Sequence, residues 1–243
     1  MKADQTLKNR REFIQAAAVT VALSTMSFAA RAAEAGKVKI GIVGSGRIGG
    51  TLGRIWAEAG HAVMFSSLDL EHDKKLAAEV GANASAGTSK QAAAFGDVLL
   101  VAVPYSAMPA VGKDLGEILK GKIVIDASNP ITGRDGDIAK WALEKGAGAA
   151  SAELLPGARI VRAFNAIGYA RLPEMPKRDP KVGMPIAGDD AKAIAVASGL
   201  IREVGLEPVL VGPLVMGKHL VPRMPLGGEH TPDEIRKIAA TLN

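Results

Sequence analysis

The run Gly44-Ser45-Gly46-Arg47-Ile48-Gly49 carries glycine at its first, third and sixth positions. That spacing suits contact with phosphate. The first glycine permits a tight turn, the second lets the backbone approach a pyrophosphate, and the third lets a helix pack close to a strand. A helix starting here would aim unpaired N–H groups and the positive end of its dipole at the anion. A second pair of residues, Ser66 and Ser67, stands where a dinucleotide fold often keeps an acid for the ribose. A carboxylate there holds two ribose hydroxyls and repels a 2′-phosphate. Two serines remove the repulsion and can donate to phosphate oxygens, so these residues favour NADP(H) over NAD(H). Arg47, His72, Lys74 and Lys75 are the nearby sources of positive charge. The plainer alternatives are a glycine turn without a ligand and serines that cap the following helix.

These residues need a strand before them and a helix after them, and the flanks supply both. VKIGIV (38–43) is a short β-branched apolar run, TLGRIWAEAG reads as a helix ending at Gly60, and HAVMFS resumes as a strand. The alternation continues. DVLLVAVP (97–104) and KIVIDASNP (122–130) read as buried strands ending in proline, with a helix over YSAMPAVGKDLGEILK between them. A helix is expected near 136–146, and strands at ARIVRAFN (158–165), VGMPIAG (182–188) and EPVLVGP. Asp189 and Asp190 open the helix AKAIAVASGLIREVG, and Thr231 caps a terminal helix with Pro232 in its first turn. The fold expected is α/β: a Rossmann-type, doubly wound, mostly parallel sheet with a small C-terminal α/β extension. Ligands of such sheets bind beyond the carboxyl ends of the strands. That places Val103-Pro104 and Ser128-Asn129-Pro130 around the ribose and nicotinamide, unless they are ordinary strand-to-loop punctuation.

Composition narrows the options. The 243 residues are 48% hydrophobic but only 4% aromatic, so the core must be aliphatic. The chain has no cysteine, which excludes disulfides, thiolate nucleophiles and Cys-ligated metals. The net charge of +5 divides into +2 over residues 1–35 and +3 over the remainder. No basic stripe is interleaved with aromatics, so nucleic acid is not an expected partner. His61, His72, His219 and His230 show no short metal-ligand spacing, and no metal site is expected. His219 follows VGPLVMGK and is the histidine that could line a site. Tyr105 and Tyr169 each have proline (Pro109, Pro173) where a Tyr–Lys reductase pair would have lysine, and no G-x-S-x-G elbow occurs.

Residues 1–35 read as an export address. Arg10-Arg11 is followed by Phe13 and Ile14, a moderately apolar run to Ala30, and the small-residue sites Ala30-Arg31-Ala32 and Ala33-Glu34-Ala35. NRREFIQ resembles the twin-arginine signal, which implies the twin-arginine machinery as a partner and a periplasmic or otherwise exported location. An amphipathic or anchoring helix is the alternative. The run is short and diluted by Thr20, Ser24, Thr25 and Ser27, so no stable membrane span is expected in the mature chain of residues 36–243.

Taken together, VKIGIVGSGRIG, the serine pair, DVLLVAVP, DASNP, AFNAIG and PIAGDDAKA…VGLEPVLVGPL resemble the NADP oxidoreductases dependent on the deazaflavin coenzyme F420. The reductase domain of six-transmembrane metalloreductases is similar. The resemblance spans roughly residues 38–220. It implies a nicotinamide beside Ala163-Phe164-Asn165, Ser66 and Ser67 near a 2′-phosphate, and a flavin-like ring between the 128–130 loop and residues 164–168. The ring-stacking candidates are then Asn129, Pro130, Phe164, Asn165 and Ile167. Leu68 stands where members of that family usually have arginine, and Asn165 where archaeal members have histidine.

Hydride transfer between two rings needs contact and alignment more than acid–base groups. The expected function is hydride transfer between NADP(H) and a flavin or deazaflavin carrier, a small-molecule substrate, with a homodimer as a candidate assembly. The alternatives are a module that binds NADP(H) without turnover, and an NADPH-dependent reductase of another small molecule.

Overall fold

A computed structural model describes residues 36–242. The expected twin-arginine segment, residues 1–35, lies outside them. Eight strands form one sheet in the order β3-β2-β1-β4-β5-β6-β7-β8. They are β1 (Lys39–Val43), β2 (Ala62–Ser66), β3 (Ala84–Ala86), β4 (Val98–Val101), β5 (Ile123–Asp126), β6 (Arg159–Arg162), β7 (Gly183–Gly188) and β8 (Glu207–Gly212). The first six are parallel, in the doubly wound order. β7 joins β6 antiparallel and β8 joins β7 parallel, so the C-terminal extension continues the same sheet.

Crossovers are made by α1 (Arg47–Glu58), α2 (Leu70–Val80), α3 (Ser89–Phe95) and α4 (Met108–Leu115). Beyond β5 come α5 (Thr132–Asp135), α6 (Asp137–Lys145) and α7 (Ala147–Leu154), with α8 (Ala191–Glu203) between β7 and β8 and α9 (Pro232–Ala239) after it. Helices cover both sheet faces, so central strands are buried on both sides and read as unbroken apolar runs. Alternate residues then feed two cores. Ile40, Ile42, Val98 and Leu100 pack with Trp56, Phe65 and Ile201 on one face. Val43, Leu99, Val101 and Val124 pack with Tyr105, Met108 and Leu155 on the other. Trp56 Nε1 donates to the Leu200 carbonyl at 3.0 Å, which ties α1 to α8.

The YSAMPAVGKDLGEILK helix is interrupted. It is a 3-10 turn (Tyr105–Ala107), α4, and a second 3-10 turn from Gly116, where φ is +40°. β3, α3 and α7 were not expected from the sequence. β3 is three small residues with little strand propensity. α7 is AGAASAEL, with too few large apolar residues to show a helical period. α3 carries a readable capping box, Thr88 with Gln91.

Candidate functional site

The turn from β1 into α1 is shaped by sterics at Gly44 and Gly49. Gly44 has φ +98°, and a Cβ there would lie 2.6 Å from the Ala102 carbonyl oxygen. Gly49 sits so close to the turn that a Cβ would lie 2.1 Å from the Gly44 oxygen. Gly46 differs. Its φ is −66°, and a Cβ would meet no protein atom within 4 Å. The turn is pinned from below, since the N–H groups of Gly44 and Ser45 both donate to the Ser66 carbonyl, at 2.8 and 3.0 Å. The first-turn N–H groups of α1 have no partner inside the helix. They face the space that glycine leaves free at position 46.

That space opens into a cleft of about 400 Å³ at the carboxyl ends of β1 and β4. Gly46, Ser67, Leu68, Val103, Pro104 and Asp114 are among its walls. A second groove, of about 620 Å³, runs behind the turn between α1 and α2 and is lined by Arg47, Arg54 and His72. Arg47 holds its guanidinium over the Tyr169 ring, 5.4 Å from the centroid, while Lys74 pairs with Glu71 at 2.7 Å.

Several side chains expected at the ligand lie elsewhere. Ser66 is fully buried, and its hydroxyl donates to the Ile42 carbonyl at 2.6 Å, so only its backbone serves the turn. Ser45 is buried too and donates its hydroxyl to Asp73, with its N–H already used on Ser66. Ser67 alone of the serine pair reaches the cleft. Its Oγ lies 3.0 Å from both Asp73 carboxylate oxygens and accepts from the Asp69 N–H at 3.1 Å. Neither serine caps α2, because Asp69 does so by accepting from the His72 N–H at 3.0 Å.

A braced corner stands at the carboxyl ends of β5 and β6, on the same sheet edge as the cleft but outside its lining residues. Arg162, at the end of β6, is fully buried and pairs with the equally buried Asp126 of β5, Nη1 to Oδ2 at 2.5 Å. Asp126 also accepts from the Ser151 hydroxyl at 2.6 Å and the Ser128 N–H at 2.8 Å. Arg162 donates its other nitrogen to the Ser128 carbonyl at 3.0 Å. Beyond it, Asn129 Nδ2 donates to the Asn165 carbonyl at 2.9 Å. Asn165 Nδ2 contacts the Ser128 carbonyl and Asn129 Oδ1, both at 3.3 Å. Both partners are acceptors, so the amide orientation is fixed. Asn165 Oδ1 is left as the one buried side-chain oxygen without a partner among the described residues.

A second brace comes from outside. Asp135 accepts from Ile131 N–H at 3.0 Å and from Ser106 N–H at 3.3 Å, joining the loops after β4 and β5. Burial works against its ionisation. Arg134 and the two N–H donors outweigh that and hold the carboxyl down at about 2. Arg134 also donates to the Asn129 carbonyl at 2.8 Å. Tyr105 is buried beneath, its hydroxyl 3.2 Å from Ser151 Oγ, and burial pushes it up to about 12. A phenol so placed keeps its proton.

The expected ring-stacking set divides here. Asn129 is half-buried, Pro130 and Asn165 are buried, and all three lie in the braced corner. Phe164 does not present its ring. Its φ is +62°, and the ring packs edge-on against Trp56 at 5.9 Å in the core. The left-handed turn at Phe164 sends its ring inward and leaves Asn165 at the corner. Ile167 and Ala163 are buried in the same core, and Ile48 packs against it. His219 lies in the 3-10 turn Leu214–His219 after β8, away from the cleft walls. Asp73, Asp126, Arg162 and Asp135 were missed by sequence reasoning. The readable signal was a charge at the end of a buried strand, Asp126 in KIVID and Arg162 in ARIVR.

Residues 39–130 match the family model described as NADP oxidoreductase, coenzyme F420-dependent. This stretch is similar to a domain of that family. Among curated relatives, metalloreductase STEAP3 of Rattus norvegicus is 30% identical over 187 residues, 75% of this chain. The chain spans only 35% of that protein's length. The F420-dependent NADP reductase of Methanothermobacter thermautotrophicus is 28% identical over 180 residues, 69% of this chain and 77% of the relative. Among solved structures, a hypothetical protein of Sinorhizobium meliloti aligns with a TM-score of 0.67 at 26% identity, covering 79% of this chain and 93% of that one.

Proposed function

We propose that this chain is an NADP(H)-dependent oxidoreductase that passes hydride between the nicotinamide and a flavin or deazaflavin carrier. The observation that carries the reading is the different steric status of the three glycines. Two are required by the fold, and the third leaves an open cradle over the start of α1 where a Cβ would otherwise stand. A pyrophosphate suits that cradle by charge, and the missing side chain leaves its approach open. The family of residues 39–130 supports the nucleotide.

In this reading the first turn of α1, from Gly46 to Gly49, holds the pyrophosphate. Ser67, Val103 and Pro104 flank the adenosine and ribose. The nicotinamide, when bound, supplies or accepts the hydride. Ser128, Asn129 and Asn165 form the corner against which it rests, and the unpartnered Asn165 oxygen suits a carboxamide N–H. Arg162 and Asp126 keep that corner in place, so that two rings meet in a fixed arrangement. No proton relay is required. The neighbouring Tyr105, held protonated by burial, is suited to packing rather than to acid catalysis.

The test is anaerobic mixing of the purified protein with NADPH and, in turn, F420, FMN and riboflavin, read at 340 nm and in the acceptor band. Coupled loss of both absorbances supports the reading. Tight NADPH binding with no acceptor reduced would leave a nucleotide-binding module.

A further inference from the structure

Resting on the nucleotide reading of the cleft, we propose that Asp73 sets the choice of nucleotide, and that the chain accepts NAD(H) alongside NADP(H). A 2′-phosphate is recognised by cations and hydrogen-bond donors, whereas a plain ribose 2′-hydroxyl is itself a donor and calls for an acceptor. The cleft wall beside β2 is arranged for the second case. Among the residues lining it there is no lysine or arginine, but there are two carboxylates, Asp69 and Asp114. Leu68 is fully exposed at the turn where a cation would serve a phosphate.

The remaining polar group is the Ser67 hydroxyl, and its single proton is already claimed. The acceptors around it are all internal: both oxygens of Asp73 at 3.0 Å and the Asp69 carbonyl at 3.2 Å. One Ser67 lone pair accepts from the Asp69 N–H, so Ser67 offers the cleft its other lone pair rather than a proton. Asp73 takes the Ser45 proton in the same way. Its side chain is fully buried, so its charge is poorly screened where a phosphate dianion would arrive. The serine pair, read from the sequence as phosphate donors, is thus reduced to one acceptor by a carboxylate one turn into α2.

Two variants separate the roles. In Asp73→Asn the charge is gone, and the amide N–H can donate to Ser67, freeing the hydroxyl proton to turn outward. In Ser67→Ala the acceptor itself is lost. Dissociation constants for NADPH and NADH would be measured by nucleotide fluorescence on the wild type and both variants, with thermal unfolding as the check on folding. The wild-type constants are expected to lie within about tenfold of each other. Asp73→Asn should tighten NADPH about tenfold while NADH stays within about threefold, a change of the size expected for removing one poorly screened like charge. Ser67→Ala should weaken NADH more than NADPH, and this result stands alone if Asp73→Asn does not fold. A wild-type preference for NADPH above a hundredfold, or a Ser67→Ala variant that loses NADPH selectively, overturns the proposal while leaving the cleft reading intact. Binding of neither nucleotide by the wild type overturns the cleft reading itself, and the proposal with it.

Discussion

Arg162 Nη1 and Asp126 Oδ2 meet at 2.5 Å with both side chains fully withdrawn from water. The pair joins the ends of β5 and β6 and carries the Ser128–Asn129–Asn165 corner on its hydrogen bonds. Removing one partner strands the other as a buried charge. Arg162→Met is therefore expected to cost about 3–5 kcal/mol of stability, read as a lower midpoint in urea. The double variant Arg162→Met/Asp126→Leu should recover much of that loss. A single variant as stable as the wild type would mean that Asp126 finds another partner.

Asp135 makes the fold acid-sensitive in a defined window. Its carboxyl, ordinarily at 3.8, is held at about 2 in the folded chain, because Arg134 and two N–H donors outweigh burial. The unfolded chain takes up the proton first as the pH falls. The contribution of Asp135 is thus complete above about pH 4 and is lost between about pH 4 and 2. Thermal unfolding should show wild type above Asp135→Asn at pH 6, with the gap closing by pH 2. A gap of constant size would contradict this.

Gly46 and Gly49 should respond oppositely to substitution. Gly46→Val adds a side chain where no protein atom lies within 4 Å, so the unfolding midpoint should stay near that of the wild type while nucleotide binding weakens by tenfold or more. Gly49→Ala places a methyl 2.1 Å from the Gly44 oxygen and should lower the midpoint clearly. Nucleotide titration and thermal unfolding of both variants check the contrast. Unchanged binding in a folded Gly46→Val variant would place the ligand elsewhere.

The export address proposed for residues 1–35 predicts its own phenotype. Replacing Arg10 and Arg11 by lysine should leave uncleaved precursor in the cytoplasmic fraction, while the parent chain is processed within the small-residue stretch. Equal distribution of both proteins on immunoblots of cell fractions would remove the twin-arginine assignment.

Much of the sheet was legible because its central strands are buried on both faces and so read as unbroken apolar runs between turn residues, as in DVLLVAVP and KIVID. The glycine turn was legible because Gly44 and Gly49 answer local steric demands and the spacing to Gly46 completes a known phosphate-binding pattern. β3 and α7 were not, since small residues carry neither a strand nor a helix period. The serine pair shows where sequence reading stops. Which way a strand-end side chain points depends on pleat register, and Val43 opposite Ser66 turns that serine into the core. What its neighbour can donate depends on Asp73, six residues on. Phe164 fails for a like reason. Its left-handed backbone could not be foreseen in a phenylalanine, and it sends the ring to Trp56.

The most direct measurement is deuterium transfer. The purified protein would be mixed anaerobically with NADPH deuterated at the transferable C4 position and with oxidised F420, and the reduced deazaflavin weighed by mass spectrometry. Hydride transfer between adjacent rings predicts one deuterium retained in the product at near-full yield. Reduced product without deuterium, or no reduced product from a chain that binds NADPH, would contradict direct transfer in this cleft.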